Sequence, residues 1–169
     1  MRTITRTVAA LAVAVGALAP AGVAAADTGH PTTDPRPSAC RPANQQATVS
    51  QIGTSPSGYR EYSVVIKAAP GTAPCTLKGS PTNVGFSRGD TPLANHTVSY
   101  GDQSQTAWLS ENGPVEFIVM VPGTTGGVSA DRLHFTPVEQ DGEVPGDFAA
   151  DGPMVVDGTP LVGPVSALV

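Results

Sequence analysis

The sequence predicts an all-β fold, a sandwich or barrel of short antiparallel strands, on three observations. Apolar residues recur at alternate positions over short runs, as half-buried strands require. Turn-forming clusters punctuate the chain at intervals of roughly 8 to 15 residues. No heptad, internal repeat or sustained helical periodicity runs through the 169 residues.

The first segment is set apart from that fold. "MRTITRTVAALAVAVGALAPAGVAAADTGHP" carries Arg2 and Arg6, then the apolar run Val8 to Ala19, then Ala24 and Ala26 in an A-x-A pattern. That layout predicts a secretory signal peptide over residues 1–26. Twelve apolar residues fall short of the roughly 20 a membrane-spanning helix needs, so no membrane span is expected. Residues 27–39, "DTGHPTTDPRPSA", hold three prolines and little to bury, which predicts a disordered leader. His30 within it reads as solvent-exposed.

A β domain is expected over residues 40–169, long enough for one core and scarcely for two. In "YSVVIKA" Tyr62, Val64 and Ile66 share one face, with Ser63 and Lys67 opposite. "TNVGFS" places Val84 and Phe86 inward, Asn83 and Ser87 outward. "TVSY" points Val98 and Tyr100 inward. "RLHFT" buries Leu133 and Phe135, leaving Arg132, His134 and Thr136 outside; "SADRLHF" could start a helical turn, but Thr136 and Pro137 cut it off, so no helix is expected there. "VEFIVMV" sets Phe117, Val119 and Val121 on one face and Ile118 and Met120 on the other, the mark of a central strand covered on both sides. The turns "TSPSG", "APGTAP", "RGDTP", "SENGP", "PGTTGG" and "VDGTP" separate these runs. Gly113 and Gly158 follow Asn or Asp, the pairing that suits positive φ.

The last stretch is acidic. Glu139, Asp141, Glu143, Asp147 and Asp151 lie within thirteen positions, expected as an acidic loop over 139–152. Asp141, Glu143 and Asp147 form a weak calcium candidate, because that ion takes clustered carboxylates and carbonyls; Pro145 and Gly146 spread them, and a solvated loop is the better reading. "PMVVDGTPLVG" is expected to return as a final hairpin with Met154 and Val156 against Leu161. Its prolines, Pro153 and Pro160, confine those strands to sheet edges.

Charge excludes some roles. Beyond residue 26 the chain has seven basic and fourteen acidic residues, a net −7. No basic cluster is present to hold nucleic acid or an anionic membrane. The two cysteines, an even and minimal count in an exported chain, read as one disulfide, Cys40 to Cys75. It would tie the start of the domain to the strand that begins at Cys75.

A cysteine opening the domain, followed by "CTLKGSPTNVGF", resembles the DUF4232 family of actinobacterial secreted proteins, which commonly show a Cys-x-Leu-x-Gly-x-Pro signature. Cys75, Leu77, Gly79 and Pro81 match it, Cys40 matches the upstream cysteine, and "QTAWLS" sits where the family tends to have such a segment. The resemblance runs roughly from Cys40 to Pro137. It implies an immunoglobulin-like antiparallel β-sandwich of about 7–9 strands with one disulfide, an extracellular or envelope setting, and no assigned catalytic residues.

Chemistry-bearing motifs are sparse. "GVSAD", Gly127 to Asp131, lacks the second glycine of a nucleophile elbow. His96 and His134 stand on separate strands without paired-ligand spacing. No catalytic residue and no cofactor is expected. The leading reading is a secreted or envelope-associated, monomeric β-sandwich module binding a protein or glycan, with loops Arg88 to Pro92 and Gly123 to Gly127 as the contact surface. Against recognition stands the lack of an aromatic cluster, since Trp108 is the only tryptophan and a core can claim it. The alternatives are a small secreted hydrolase or metal-binding protein, and a secreted protease inhibitor.

Overall fold

The computed structural model describes residues 36–123 and 126–168. The expected signal peptide, His30 and most of the expected leader lie outside them, as do Thr124 and Thr125. The described residues are all-β, with a single short 3-10 turn at Pro42–Asn44. No helix among them is long and apolar enough to cross a membrane.

In chain order the strands are β1 (Gln45–Thr54), β2 (Tyr59–Ala68), β3 (Cys75–Lys78), β4 (Thr82–Arg88), β5 (Thr91–Leu93), β6 (Val98–Ser99) and β7 (Thr106–Leu109). They continue as β8 (Val115–Pro122), β9 (Val128–Thr136), β10 (Val138–Glu139), β11 (Gly142–Glu143), β12 (Phe148–Val156), β13 (Leu161–Val162) and β14 (Ser166–Ala167). One sheet runs in the order β5-β4-β9-β12-β1-β2-β8-β13-β6, with β14 also paired to β8. β10 with β11 and β3 with β7 make two further two-stranded sheets. Nine strands side by side in a flat sheet would span about 38 Å at ~4.8 Å per gap. Its two end strands, β5 and β6, are joined through Ala94–Thr97 alone, a link reaching at most ~17 Å. The sheet therefore has to curl, and the core lies inside the curl.

The alternating runs supply that core as the sequence indicates. Tyr62, Val64 and Ile66 of β2, Val115, Phe117, Val119 and Val121 of β8, and Leu133 and Phe135 of β9 are buried in one cluster. Leu77 of β3 and Leu109 of β7 join it from the small sheet. Phe135 packs edge-on to Phe117 at 5.3 Å between ring centres and lies 5.8 Å from Phe148. β8 sits between β2 and β13, and its second face, with Ile118 and Met120, is half-buried, as a central strand requires.

Several expectations need correction. The main sheet is mixed, not purely antiparallel: β1 runs parallel to β12, and β13 parallel to β6. Fourteen strands replace the expected 7–9, although eight of them have four residues or more. Where the sequence admits a helical turn only to reject it, β9 is a strand over Val128–Thr136, as the alternation of "RLHFT" indicates. The acidic stretch 139–152 is not one loop. It is the β10–β11 hairpin, anchored by buried Val144 whose N–H donates to Pro137 O at 2.9 Å, followed by the first residues of β12. β12 does not fold back on β13; it lies in the sheet interior between β9 and β1, and Leu161 pairs with Met120 instead.

The reason is a bulge. β12 shifts register against β9 between Asp151 and Met154, so Pro153 sits where no ladder N–H is needed. Gly152 adopts φ 155°, and a Cβ there would meet Val49 O at 2.1 Å, a backbone approach that admits glycine alone. Beyond this point β1 and β12 diverge. Tyr62 bridges the gap from below, its hydroxyl accepting the Val155 N–H at 2.9 Å.

At the edges, burial weakens. Val98 on the short edge strand β6 is 44% exposed and Tyr100 half-buried, where the sequence pointed both inward. Two residues at an edge have no second layer to pack against. Ser87, expected outside, is buried. Gly158 has φ 50° as its Asp-Gly context indicates, whereas Gly113 has no positive φ, because Ser110 and Gly113 exchange hydrogen bonds of 3.0 and 3.1 Å in a bridge.

The disulfide joins Cys40 to Cys75, with Cα atoms 5.9 Å apart. Ordered structure begins before Cys40: Ala39 N–H donates to Ala73 O at 2.8 Å and Ala73 N–H to Pro37 O at 2.9 Å, which docks the end of the expected leader beside the bridge.

Candidate functional site

The small β3–β7 sheet presents the one exposed tryptophan. Cys75 pairs with Leu109, Thr76 with Trp108, Leu77 with Ala107 and Lys78 with Thr106. Cys75, Leu77, Ala107 and Leu109 face the core, so alternation turns Thr76, Lys78, Thr106 and Trp108 outward. Trp108 is 60% exposed. In the register of the pair it lies across from Thr76 and diagonal to Lys78.

This face is held firmly. The disulfide fixes Cys75 at the start of β3. At the other end, Gly79 donates its N–H to Gln105 O at 2.8 Å and accepts from the Val165 N–H at 2.9 Å. The buried Ser80 hydroxyl donates to Val162 O at 2.9 Å. Gln103 caps the turn: its Oε1 accepts the Ser80 N–H at 2.8 Å and its Nε2 donates to Tyr100 O at 2.9 Å. Gly79 is required there, since it has φ 63° and a Cβ would lie 2.9 Å from Gln103 O. A rigid indole with hydroxyls and an ammonium beside it can stack on a flat or CH-rich ligand face and hydrogen-bond around the rim. Beside this sheet, Lys78, Ser80, Gln103 and Glu139 line a cleft of about 250 Å³.

The residues singled out from sequence fall elsewhere and mostly apart. His96 lies in the loop between β5 and β6, not on a strand, and is exposed. His134 is exposed on β9, with Nε2 3.3 Å from Ser87 Oγ. It lines a cleft of about 170 Å³ with Asn83, Thr136 and Asp147. Among the described residues His134 forms no ion pair with a carboxylate. Ser129 of "GVSAD" is within β9, not at a sharp turn, and its carbonyl accepts from Arg88 Nε at 2.9 Å.

Of the calcium candidates, Glu143 is engaged by protein donors: its Oε1 accepts from Thr82 Oγ1 and, at 3.4 Å, from Asn83 Nδ2. Asp141 is exposed beside the hairpin turn and Asp147 lines the His134 cleft. Asp151 pairs with Arg132 at 2.7 Å in the open, which raises the Arg132 pKa. Among the described residues, the group of three potential ligand atoms within 4.8 Å of one another is Cys40, Cys75 and Glu139. Its sulfurs are bonded to each other. Asp141, Glu143 and Asp147 are not brought together in that way.

The described residues of the expected contact loops are tied to neighbouring strands and turns. Gly89 N–H donates to both Asp131 carboxylate oxygens at 2.9 and 3.0 Å, and Gly123 N–H to Gly58 O at 2.9 Å. Two further groups are perturbed outside any cluster. Asp102 is held below its ordinary pKa by the Ser104 hydroxyl and N–H, and Tyr100 is pushed up by burial and then by Glu61. No protein-family model matches this chain, and no curated protein or solved structure is significantly similar to it.

Proposed function

We propose that the chain is a secreted or envelope-associated, non-catalytic module of the immunoglobulin-like β-sandwich kind that the DUF4232 resemblance implies, binding a protein or glycan through the outer face of β3–β7. The carrying observation is Trp108, 60% exposed on a sheet braced by the disulfide. Large aromatic residues left in water on a rigid element are typical anchors of recognition. Thr76, Thr106 and Lys78 around the ring supply the polar rim. Among the described residues of the loops favoured from sequence, Gly89 N–H is bonded to Asp131 and Gly123 N–H to Gly58 O.

The test uses the chain from Asp27 onward. Trp108 is the single tryptophan, so its emission reports this face alone. Soluble envelope polysaccharide and envelope proteins are titrated while emission is followed, and capture from culture filtrate and envelope extract is compared between the native sequence and W108A. Binding shifts the emission and W108A loses the captured partner. An unchanged emission with equal capture by W108A overturns the proposal.

A second reading, a small hydrolase, rests on the Ser87–His134 contact of 3.3 Å beside the Asp147 cleft. Labelling by a serine-directed fluorophosphonate that S87A abolishes would favour it.

A further inference from the structure

Glu139 lies against the disulfide. One carboxylate oxygen and both sulfurs of Cys40 and Cys75 are all within 4.8 Å of one another. Glu139 is on β10, half-buried, and faces the cleft that it shares with Lys78 and Ser80. Cys40 is wholly buried and Cys75 is 8% exposed, so of the two residues Cys75 is the one with any surface at which a reductant can approach.

We propose that Glu139 is an electrostatic guard of this disulfide, slowing its opening by thiolates. Opening proceeds by attack of a thiolate on Cys75 Sγ. The new sulfur–sulfur bond makes a mixed disulfide, and the Cys40–Cys75 bond breaks with its electron pair leaving on Cys40. A second thiol of the reductant then displaces Cys75, and two solvent protons finish the two-electron reduction. Both the entering and the departing sulfur carry negative charge beside the Glu139 carboxylate. At ~4.8 Å the repulsion slows the step about fourfold if water screens it fully. At the effective dielectric typical of a protein surface the factor rises to roughly 300-fold. Half-burial places the effect between these bounds.

The experiment measures second-order rates of bridge reduction in the folded chain by dithiothreitol and by a neutral trialkylphosphine, for the native sequence and E139Q. Lys78 stays in both, so the comparison isolates the carboxylate. The expected result is a rise of at least fourfold in the E139Q rate with dithiothreitol and a clearly smaller change with the phosphine, whose attack adds no net charge because the phosphorus becomes cationic as Cys40 departs as a thiolate. Added salt narrows the dithiothreitol difference. Equal acceleration by both reagents means the variant has merely loosened the structure, and it overturns the proposal. So does an unchanged dithiothreitol rate.

Discussion

Replacing both cysteines, C40A with C75A, tests what the bridge contributes to stability. The link spans a sequence separation of 35, closing a loop of ~36 residues. The chain-entropy expression, −2.1 − 1.5R ln n cal/mol/K, gives about −13 cal/mol/K, or about 4 kcal/mol at 25 °C. Both sulfurs are in the core cluster, so losing them adds roughly 1 kcal/mol of lost burial. A loss of about 4–5 kcal/mol is a large share of the 5–15 kcal/mol typical of a folded domain. For ~130 residues with an unfolding entropy near 0.27 kcal/mol/K it corresponds to a Tm lower by about 15 °C. Urea unfolding of the oxidised native chain against the double variant gives the free energy, and thermal unfolding checks it. Because the bridge restricts the unfolded chain, the m-value should rise in the variant as the denatured ensemble expands. A loss below about 1 kcal/mol would refute the reasoning, since loop closure alone demands several times that.

Four further outcomes follow from the geometry. G152A should cost about 3 kcal/mol or more, because the Cβ meets the Val49 carbonyl at 2.1 Å with φ 155°; G53A, with open space around it, should change stability by under ~0.5 kcal/mol in the same melts. Y62F should cost about 1–2 kcal/mol and speed amide exchange at Val155, whose N–H loses its 2.9 Å partner. Asp102, held below its ordinary 3.8, supports folding above that pH, and the support is lost as pH falls through its folded value; NMR titration should find a low midpoint that S104A raises. W108T should leave Tm within ~2 °C, since the ring is 60% exposed; a larger drop would make the indole structural and remove the case for the binding face.

The elements visible in the sequence are those with at least one face fully buried at alternate positions. β2, β8 and β9 each turn one face fully into the core, so the alternation of Tyr62, Val64 and Ile66, of Phe117, Val119 and Val121, and of Leu133 and Phe135 is readable even where the opposite face is half-buried, as on β8. β1 left no such signal: of its ten residues only Val49 is fully buried, and its place is set by hydrogen bonds to β2 and β12 instead. β12 was hidden differently. Gly152 and Pro153 read as a break, and period counting has no means of showing that a bulge over Val49 lets a strand continue through them. Parallel pairing of β1 with β12 is a long-range fact that turn chemistry does not encode. The disulfide was legible because two cysteines in a chain admit one pairing within it.

Trp108 escaped for a reason that bears on its role. "TAWL" is compatible with two parities, Ala107 and Leu109 inside or Trp108 inside, and the apolar area gained is similar either way. Periodicity alone does not choose between them. The choice is made by register: Cys75 is tied inward by the disulfide, Leu109 pairs with Cys75, and Trp108 is thereby turned out opposite Thr76. The bridge that was legible thus fixes the face that was not. Burial energetics leaves residue 108 free to be any strand-compatible side chain. The binding role proposed for the indole rests on that freedom: if folding does not demand the ring, W108T removes the contact face and leaves stability unchanged.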